Sequence, residues 1–556
     1  MIGKLLAALL LIPAPAVAAD DPYDVLVFSR TTGFRHDSIA AGTQAVRDLG
    51  AQHGFSVTAT EDPAVFTAAG LAGYEAVVFL NTTGDVLDTA QQAAFEGYIR
   101  GGGGYAGVHA AADTEYGWPF YGELVGAWFA SHPAIQPATV VLEDRAHAAT
   151  AHLPQRWNRT DEWYDYRTNA RSTAHVLATL DESTYSGGRM GADHPHAWCK
   201  TLDAGRSFYT GGGHTRESYA DPAFRAHLLG GIRYAAGRTN ADCRPETGYA
   251  KLYDGATTGW SQAGPGGFTN TDATLTSTGG MGLFWYSAAQ FTSYSLKLDW
   301  KLAGDDNSGV FLGFPPSDDP WSAVNNGYEV QIDATDAPDR TTGAVYGFKS
   351  ADLAARDAAL NPPGEWNTFE LLVESERLQI FLNGRKINDF TNADPARSLA
   401  GHIGLQNHGA GDEVSFRNVR VKELGGPQPP RTGPVVGLAG KCLDVAGAGT
   451  ADGTKVQLYT CNGTAAQTWT VTPGATVKAL GKCLDVAGGG TANGTRTQLW
   501  TCNGTGAQTW AAQPDGTIRN PQSGRCLDVS ANRPVDGQQV HIWDCHGAAN
   551  QRWTLP

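Results

Sequence analysis

The last quarter of the chain states one pattern three times. GKCLDVAGAGTADGTKVQLYTCNGTAAQTW spans 440–469, GKCLDVAGGGTANGTRTQLWTCNGTGAQTW spans 481–510 and GRCLDVSANRPVDGQQVHIWDCHGAANQRW spans 524–553. A period of about forty residues, with short alternating strands and a glycine turn in each copy, demands a symmetric all-β unit. Each copy carries two cysteines, giving pairs of equal spacing: Cys442/Cys461, Cys483/Cys502 and Cys526/Cys545. Cys199 and Cys243 complete an even set of eight. In an exported chain such a count favours disulfides over metal ligands or reactive thiols. No CxxC zinc pattern is present.

The repeated CLD and QxW motifs resemble the ricin-B-type lectin β-trefoil, which also occurs as a carbohydrate-binding module; the match covers about 432–556, and the domain is assigned to 435–556. The resemblance implies that Asp444, Asp485 and Asp528 accept hydrogen bonds from sugar hydroxyls. It places Tyr459, Trp500 and Trp543 against the apolar face of a sugar ring, assisted by Gln457, Gln498 and His541. Asn462, Asn503 and His546 follow the second cysteine and join the same sites. Gln467, Gln508 and Gln551, with Trp469, Trp510 and Trp553, fall to the core. Family sites often carry Asn just before this Gln; here Asn550 matches and Ala466 and Ala507 depart. GGPQPPRTGP, 425–434, reads as the preceding linker, because Pro and Gly resist helix and sheet.

Export is read from the first residues, MIGKLLAALLLIPAPAVAAD. Lys4 gives the positive end, Leu5–Ile12 the short apolar run and Ala16-Val17-Ala18 the cleavage pattern. The expectation is a signal peptide over 1–19 and a secreted, extracellular protein. No later stretch approaches the roughly 18 apolar residues of a transmembrane helix, so no membrane span is expected. A chain of 556 residues is too long for one core and predicts three or four domains. A net charge of −15 argues against a nucleic-acid partner, whose footprint would be basic. The expected partner is an oligo- or polysaccharide, the expected state a monomer. No cofactor is expected, and the identity of any metal is left open.

Residues 249–424 read as many short alternating strands between Gly, Pro and Asp turns: a β-sandwich of jelly-roll type. ESERLQIFLNGRKIND reads as a hairpin turning at Asn383-Gly384. In GYEVQID, Glu329, Gln331 and Asp333 point to one face and Tyr328, Val330 and Ile332 to the other. The ordered pieces LYDGATTGW, DDNSGVFL, NNGYEVQID, TGAVYGF, GEWNTFELLVESERLQIFLNG, IGLQNHG and FRNVRVKEL resemble the 3-keto-disaccharide hydrolase family, a concanavalin-like jelly roll. The resemblance implies a sugar cleft on the polar face. A ketone at C3 acidifies the C2–H, so a base can remove that proton and the C1 oxygen can leave by β-elimination. Such a site needs a base, an acid at the leaving oxygen and donors for the enolate. Glu329 or His408 is the candidate acid or base, with Gln331 and Asp333 completing the catalytic set. Asn307 and Gln406 orient hydroxyls, and Trp285, Tyr346 and Lys349 supply walls or donors. Glu329 and Asp333, four residues apart on a strand, have α-carbons ~13 Å apart, which is long for a retaining pair of carboxylates.

Residues 22–240 alternate strands (YDVLVFSR, FSVTATED, YEAVVFLNTTGD, YAGVHAAAD) with helical runs, which predicts an α/β open parallel sheet with function at the carboxyl ends of its strands. TGFRHDS, GGGGYAGVHAAADT, SHP, DEWY, HPHAWC and GRSFYTGGGHT resemble the ThuA-type trehalose-utilisation family, whose fold is like that of class I glutamine amidotransferases. Those amidotransferases place a nucleophilic Cys at the strand-to-helix elbow. Here His109 stands at that kind of turn with no Cys near, which excludes thiolate chemistry. What remains is a His-rich set that reads as a polar sugar pocket, a metal site or merely structural histidines: His36, His109, His132, His214, Asp113 and Glu162, with His194 and His196 as further candidates. A disulfide from Cys243 to Cys199 is expected at the end of this domain.

Three functional readings follow. Glycosidic cleavage in the middle domain, targeted by the trefoil, is the first. A non-catalytic multivalent glycan binder and keto-sugar chemistry in the α/β domain are the others.

Overall fold

The structure, a computed structural model, describes residues 22–424, 431–471, 476–513 and 516–556. The expected signal peptide and residues 425–430 of the expected linker lie outside them. The end of that linker, Arg431–Gly433, forms a strand paired with Trp469–Val471. Between Pro430 and Pro434 these three residues keep their N–H groups and can join a ladder. The chain divides into two compact units, Met1–Glu423 and Leu424–Pro556.

The first unit opens with a nine-stranded sheet. Its first five strands run in the order Phe55–Thr60, Tyr23–Phe28, Ala76–Leu80, Gly104–Val108 and Gly205–Thr210, all parallel. Four antiparallel strands extend it: Pro195–Leu202, His175–Leu180, Gln136–Leu142 and Arg156–Asp161. The sheet is therefore mixed, where the sequence predicted a parallel one. Asp203 and Ala204 join Pro195–Leu202 to Gly205–Thr210 as a tight hairpin, and a connection that short permits only antiparallel pairing. The parallel half is apolar on both faces, as a sheet covered by helices must be: Ala76–Leu80 is buried throughout. Helices Ile39–His53, Thr89–Arg100 and Pro222–Ala235 pack on it. Thr89–Arg100 starts at a capping box, with Asp88 accepting from the Gln91 N–H and Gln91 accepting from the Asp88 N–H.

The β-sandwich follows. One sheet runs Trp260–Ala263, Gly282–Tyr286, His402–Asn407, Asn307–Phe314, Tyr328–Asp333. The other is built around Tyr294–Leu302, between Val414–Glu423 and Asn367–Glu374. Val310, Val330, Ile332 and Leu405 meet Leu296, Leu298, Trp300 and Phe416 in the core. The predicted hairpin turns at Asn383 and Gly384, with φ of 47° and 83°, the positive pair a two-residue turn needs.

Where the α/β part meets the sandwich, charged side chains are buried. Lys297 reaches Asp242 and Glu246 at 3.0 Å each. Arg420 donates to Glu246 at 3.0 Å, and His175 pairs with Asp144 at 2.7 Å. Asn418 of the sandwich donates to the Glu143 carbonyl at 3.2 Å. The Cys199–Cys243 disulfide pins the connecting segment to the nine-stranded sheet.

The second unit is a threefold β structure, the β-trefoil. Each CLDV strand pairs with the strand that follows it, matching Asp444 to Gln457, Asp485 to Gln498 and Asp528 to His541. Leu443, Leu484 and Leu527 share one core with Trp469, Trp510 and Trp553. Three disulfides close within their repeats: Cys442–Cys461, Cys483–Cys502 and Cys526–Cys545. Their two ends differ in surroundings. Cys442, Cys483 and Cys526 start or lie within CLDV strands and are buried. Cys461, Cys502 and Cys545 follow the paired strand and are exposed. Equal spacing in the sequence pairs the cysteines without separating a buried member from an exposed one. These bonds therefore tie a surface turn to the core and add nothing to a sugar site as ligands.

Candidate functional site

On the α/β sheet, function-bearing residues converge at strand carboxyl ends, as such folds dictate. His109 follows Gly104–Val108 with φ of 48°, a left-handed conformation that is strained for a side chain of this size. Two bonds hold it there: the Tyr209 hydroxyl donates to the His109 carbonyl at 2.8 Å, and His109 Nδ1 lies 2.7 Å from the Gly211 carbonyl. Glu162 follows Arg156–Asp161 directly, and its neighbour Asp161, the last residue of that strand, is fully buried. Asp161 accepts from the backbone N–H of Gly213 (2.8 Å) and His214 (3.1 Å) and from Ser218 Oγ (2.8 Å), which fixes the GGGHT loop. His36 arrives on the loop after the first strand.

The four side chains meet. His109 Nε2 lies 3.2 Å from His214 Nδ1 and 3.4 Å from Glu162 Oε2, and His214 Nδ1 lies 3.1 Å from that oxygen. The other Glu162 oxygen faces His132 Nδ1 at 3.0 Å. The His36 ring centroid stands 5.1 Å from that of His109 and 4.9 Å from that of His214. Burial, reinforced by those two imidazoles, pulls His36 down to about 3. Burial alone would raise Glu162, yet His109 and His214 outweigh it and hold the carboxyl well below its usual range. Burial would lower His214, but Glu162 outweighs it and moves the imidazole up. A cleft of about 520 Å³ reaches this cluster past Phe34, Arg35 and Ile135.

Other candidates go elsewhere. His194 is held by Glu182 and the Tyr164 carbonyl, both at 2.8 Å. His196 is buried with neither ring nitrogen hydrogen-bonded. Asp113 accepts from the Tyr116 hydroxyl, and burial raises it.

In the sandwich, the outer face of the five-stranded sheet carries Glu329. Phe311 faces both Glu329 and Gly404, and Gly404 also faces Trp285, so these four share one row. One register step on, Gly309 falls between Gln331 and Gln406. A Cβ on Gly309 would collide with Glu329 Oε1, so the missing side chain is what lets the Glu329 carboxyl lean over that row. Glu329 is 8% exposed and Gln331 1%. Burial pushes Glu329 up to about 8, against a smaller pull from Gln406. Gln331 Oε1 and Nε2 and Gln406 Oε1 are buried without a hydrogen-bond partner. Buried amides are nearly always satisfied, and these three atoms are exceptions to that rule.

A third row holds Asn307, whose amide donates to Asp333 Oδ2 at 2.9 Å. The other Asp333 oxygen accepts from the N–H groups of Thr335 and Asp336, so Asp333 organises a turn. His408 follows His402–Asn407 directly, is largely exposed, and pairs through Nδ1 with Asp412 Oδ2 at 2.9 Å. Trp285 packs beside His402 in a small apolar cluster. Tyr346 is exposed and joins the edge of the sheet by donating its N–H to the Glu329 carbonyl. Lys349 is engaged elsewhere: its Nζ donates to the Asp389 carbonyl at 2.7 Å. Sequence reasoning missed Asp161, Asp412 and Gly309. The signal for the last was a glycine inside a strand, which often marks a close approach.

The trefoil presents the same arrangement three times. Gln457 donates to Asp444 at 2.9 Å, and Gln467 to its other oxygen at 3.1 Å. Gln498 and Gln508 treat Asp485 alike. His541, Asn550 and Gln551 all reach Asp528, with His546 at 3.6 Å. Asn550 supplies a bond for which Ala466 and Ala507 have no counterpart. Tyr459, Trp500 and Trp543 stand exposed beside these aspartates. Asn462 and Asn503 cap their turns, accepting from Thr464 and Thr505. The Cys461, Cys502 and Cys545 ends of the disulfides anchor the chain just before Asn462, Asn503 and His546. The Asp485 site opens into a hollow of about 720 Å³.

Two of the three family models that match this chain place it in a carbohydrate-active, carbohydrate-binding class of protein. The trehalose utilisation (ThuA) family model matches residues 24–235, the 3-keto-alpha-glucoside-1,2-lyase-like domain matches 248–422 and the ricin-type β-trefoil lectin domain matches 431–553. The chain combines domains of these three kinds in that order. A 3-keto-disaccharide hydrolase of Bacteroides thetaiotaomicron is 25% identical over 233 residues, 32% of this chain and 79% of that protein. Among solved structures, a ThuA-like protein from Bacteroides uniformis is 24% identical (40% of this chain, 95% of that one, TM-score 0.36). The designed threefold-symmetric protein ThreeFoil is 29% identical (22% of this chain, 95% of that one, TM-score 0.21).

Proposed function

We propose that this chain is a secreted enzyme that cleaves 3-keto-glycosides in its β-sandwich and is held on glycans by its trefoil. The observation that carries the reading is the Glu329 carboxyl, buried and protonated near neutral pH, beside three unpaired amide atoms of Gln331 and Gln406. The matched 3-keto-alpha-glucoside-1,2-lyase-like domain and the name of the Bacteroides relative support the same substrate class.

In this mechanism His408, oriented by Asp412, takes the proton from C2 of the keto sugar. The C2–H electron pair forms the C1=C2 bond as the C1–O bond breaks. Glu329 gives its proton to the departing oxygen, and the amide N–H of Gln331 holds the enolate oxygen at C3, while Gln406 stays on the Glu329 carboxyl. Water then adds across C1=C2, so the net reaction is hydrolysis. The test is turnover of a soluble 3-keto-disaccharide by the full chain. Glu329→Gln should lower kcat by roughly 100-fold or more, the usual scale for a general acid, with glycan binding by the trefoil intact. Undiminished turnover in that variant would remove Glu329 from the chemistry.

A further inference from the structure

We propose that His109, His214, Glu162 and His36 form a divalent transition-metal site in the α/β domain, open on one side to an oxygen ligand such as the vicinal hydroxyl and carbonyl of a sugar. This site is separate from the Glu329 cleft.

The first argument is tautomeric. His109 Nδ1 lies 2.7 Å from the Gly211 carbonyl, and a carbonyl oxygen can only accept, so Nδ1 carries the proton. A neutral His109 then turns the lone pair of Nε2 toward His214 Nδ1 and Glu162 Oε2. The single Nδ1–H that His214 can offer must serve both acceptors. His36 Nδ1 is buried with no hydrogen-bond partner at all. The His109, His214 and Glu162 acceptors thus face one another with too few protons to bridge them, and the unpaired His36 ring stands beside them.

The second argument is metric. His109 Nε2, His214 Nδ1 and Glu162 Oε2 form a triangle with sides of 3.2, 3.4 and 3.1 Å. An ion with bonds of ~2.0–2.1 Å separates neighbouring ligand atoms by about 2.9 Å in octahedral and about 3.3 Å in tetrahedral geometry, and the octahedral case leaves positions open beside four protein ligands. His36 brings a fourth atom, and all four lie within 4.8 Å of one another.

The third argument lies outside the triangle. A metal-bound histidine usually donates its other N–H to a carbonyl or carboxylate, as His109 does to Gly211. The other oxygen of Glu162 lies 3.0 Å from His132 Nδ1, a nitrogen that is equally close to the Pro133 carbonyl. Three imidazoles and one carboxylate suit zinc, cobalt, nickel, manganese or iron(II) over calcium or magnesium. The cleft of about 520 Å³ opens onto His36 and His214, with exposed Phe34 at its rim, so a ligand can reach the ion.

The test uses the full chain. Metal analysis after exhaustive dialysis, and titration of chelator-treated protein with Co²⁺, should give one equivalent and a visible d–d band. His109→Ala and Glu162→Gln should lose the band, whereas Glu329→Gln should keep it. His132→Gln, at an exposed position, should bind Co²⁺ roughly 10–100-fold more weakly, the usual effect of losing an outer-shell partner. Circular dichroism excludes unfolding as the cause. Adding a 3-keto-glucoside should shift the band; an unchanged band would remove the sugar from the proposal. Wild-type protein with no stoichiometric metal and no Co²⁺ band would overturn the site itself.

Discussion

Glu329 illustrates how one residue can join a stability statement to a mechanistic one. A free glutamate titrates near ~4.3, and burial moves this one up to about 8. Between those values the folded chain holds a proton that the unfolded chain has released. Stability therefore falls as pH rises through that window, and Glu329→Gln is free of the slope. The melting temperature of Glu329→Gln relative to wild type should rise steadily from about pH 5 to about pH 8; parallel curves would contradict the buried acid. As the proton donor to the leaving oxygen, Glu329 works while protonated, so kcat/KM should fall above about pH 8. Alternation alone placed Glu329 on a polar face. Its burial was not legible, because period 2 distinguishes the faces of a strand without saying what covers either.

At the scale of the element, Gly309 decides how the Glu329 carboxyl lies on its sheet face. It sits within Asn307–Phe314, opposite Gln331, and its missing Cβ is the room that Glu329 uses. Gly309→Ala should leave the strand paired and displace the carboxyl, lowering kcat/KM by tenfold or more while the circular dichroism spectrum stays unchanged. Wild-type kinetics in that variant would contradict the packing argument. The strands of the sandwich and trefoil were readable because each follows a clear alternation bounded by turn residues. The antiparallel half of the first sheet was not. Its strands follow the same local rules as parallel ones, and only the short Asp203-Ala204 connection carries the direction. The His cluster was legible as residues and not as a constellation, since His36, His109, Glu162 and His214 arrive on four separate strand ends.

At the scale of the whole molecule, three aromatic side chains on one threefold unit invite multivalent binding. Linked sites gain avidity by ~10²–10⁴ when they engage together. Replacing Tyr459, Trp500 and Trp543 together by Ala should abolish retention on an immobilised polysaccharide while leaving kcat/KM on a soluble 3-keto-disaccharide unchanged. Retention by the triple variant would place the binding faces elsewhere. The order of three domains was the most legible property of the chain, because repeats and ordered motifs survive in sequence what contacts do not.

The charged seam between the α/β part and the sandwich sets the grain along which such a protein can be taken apart. Lys297 and Arg420 are buried against Asp242 and Glu246, and orphaning a buried charge costs about 3–5 kcal/mol. A cut through that seam would leave bare ions on both new surfaces. Separating the α/β part from the sandwich therefore takes Lys297 and Arg420 from their carboxylate partners, whereas the trefoil is a compact unit with its own core.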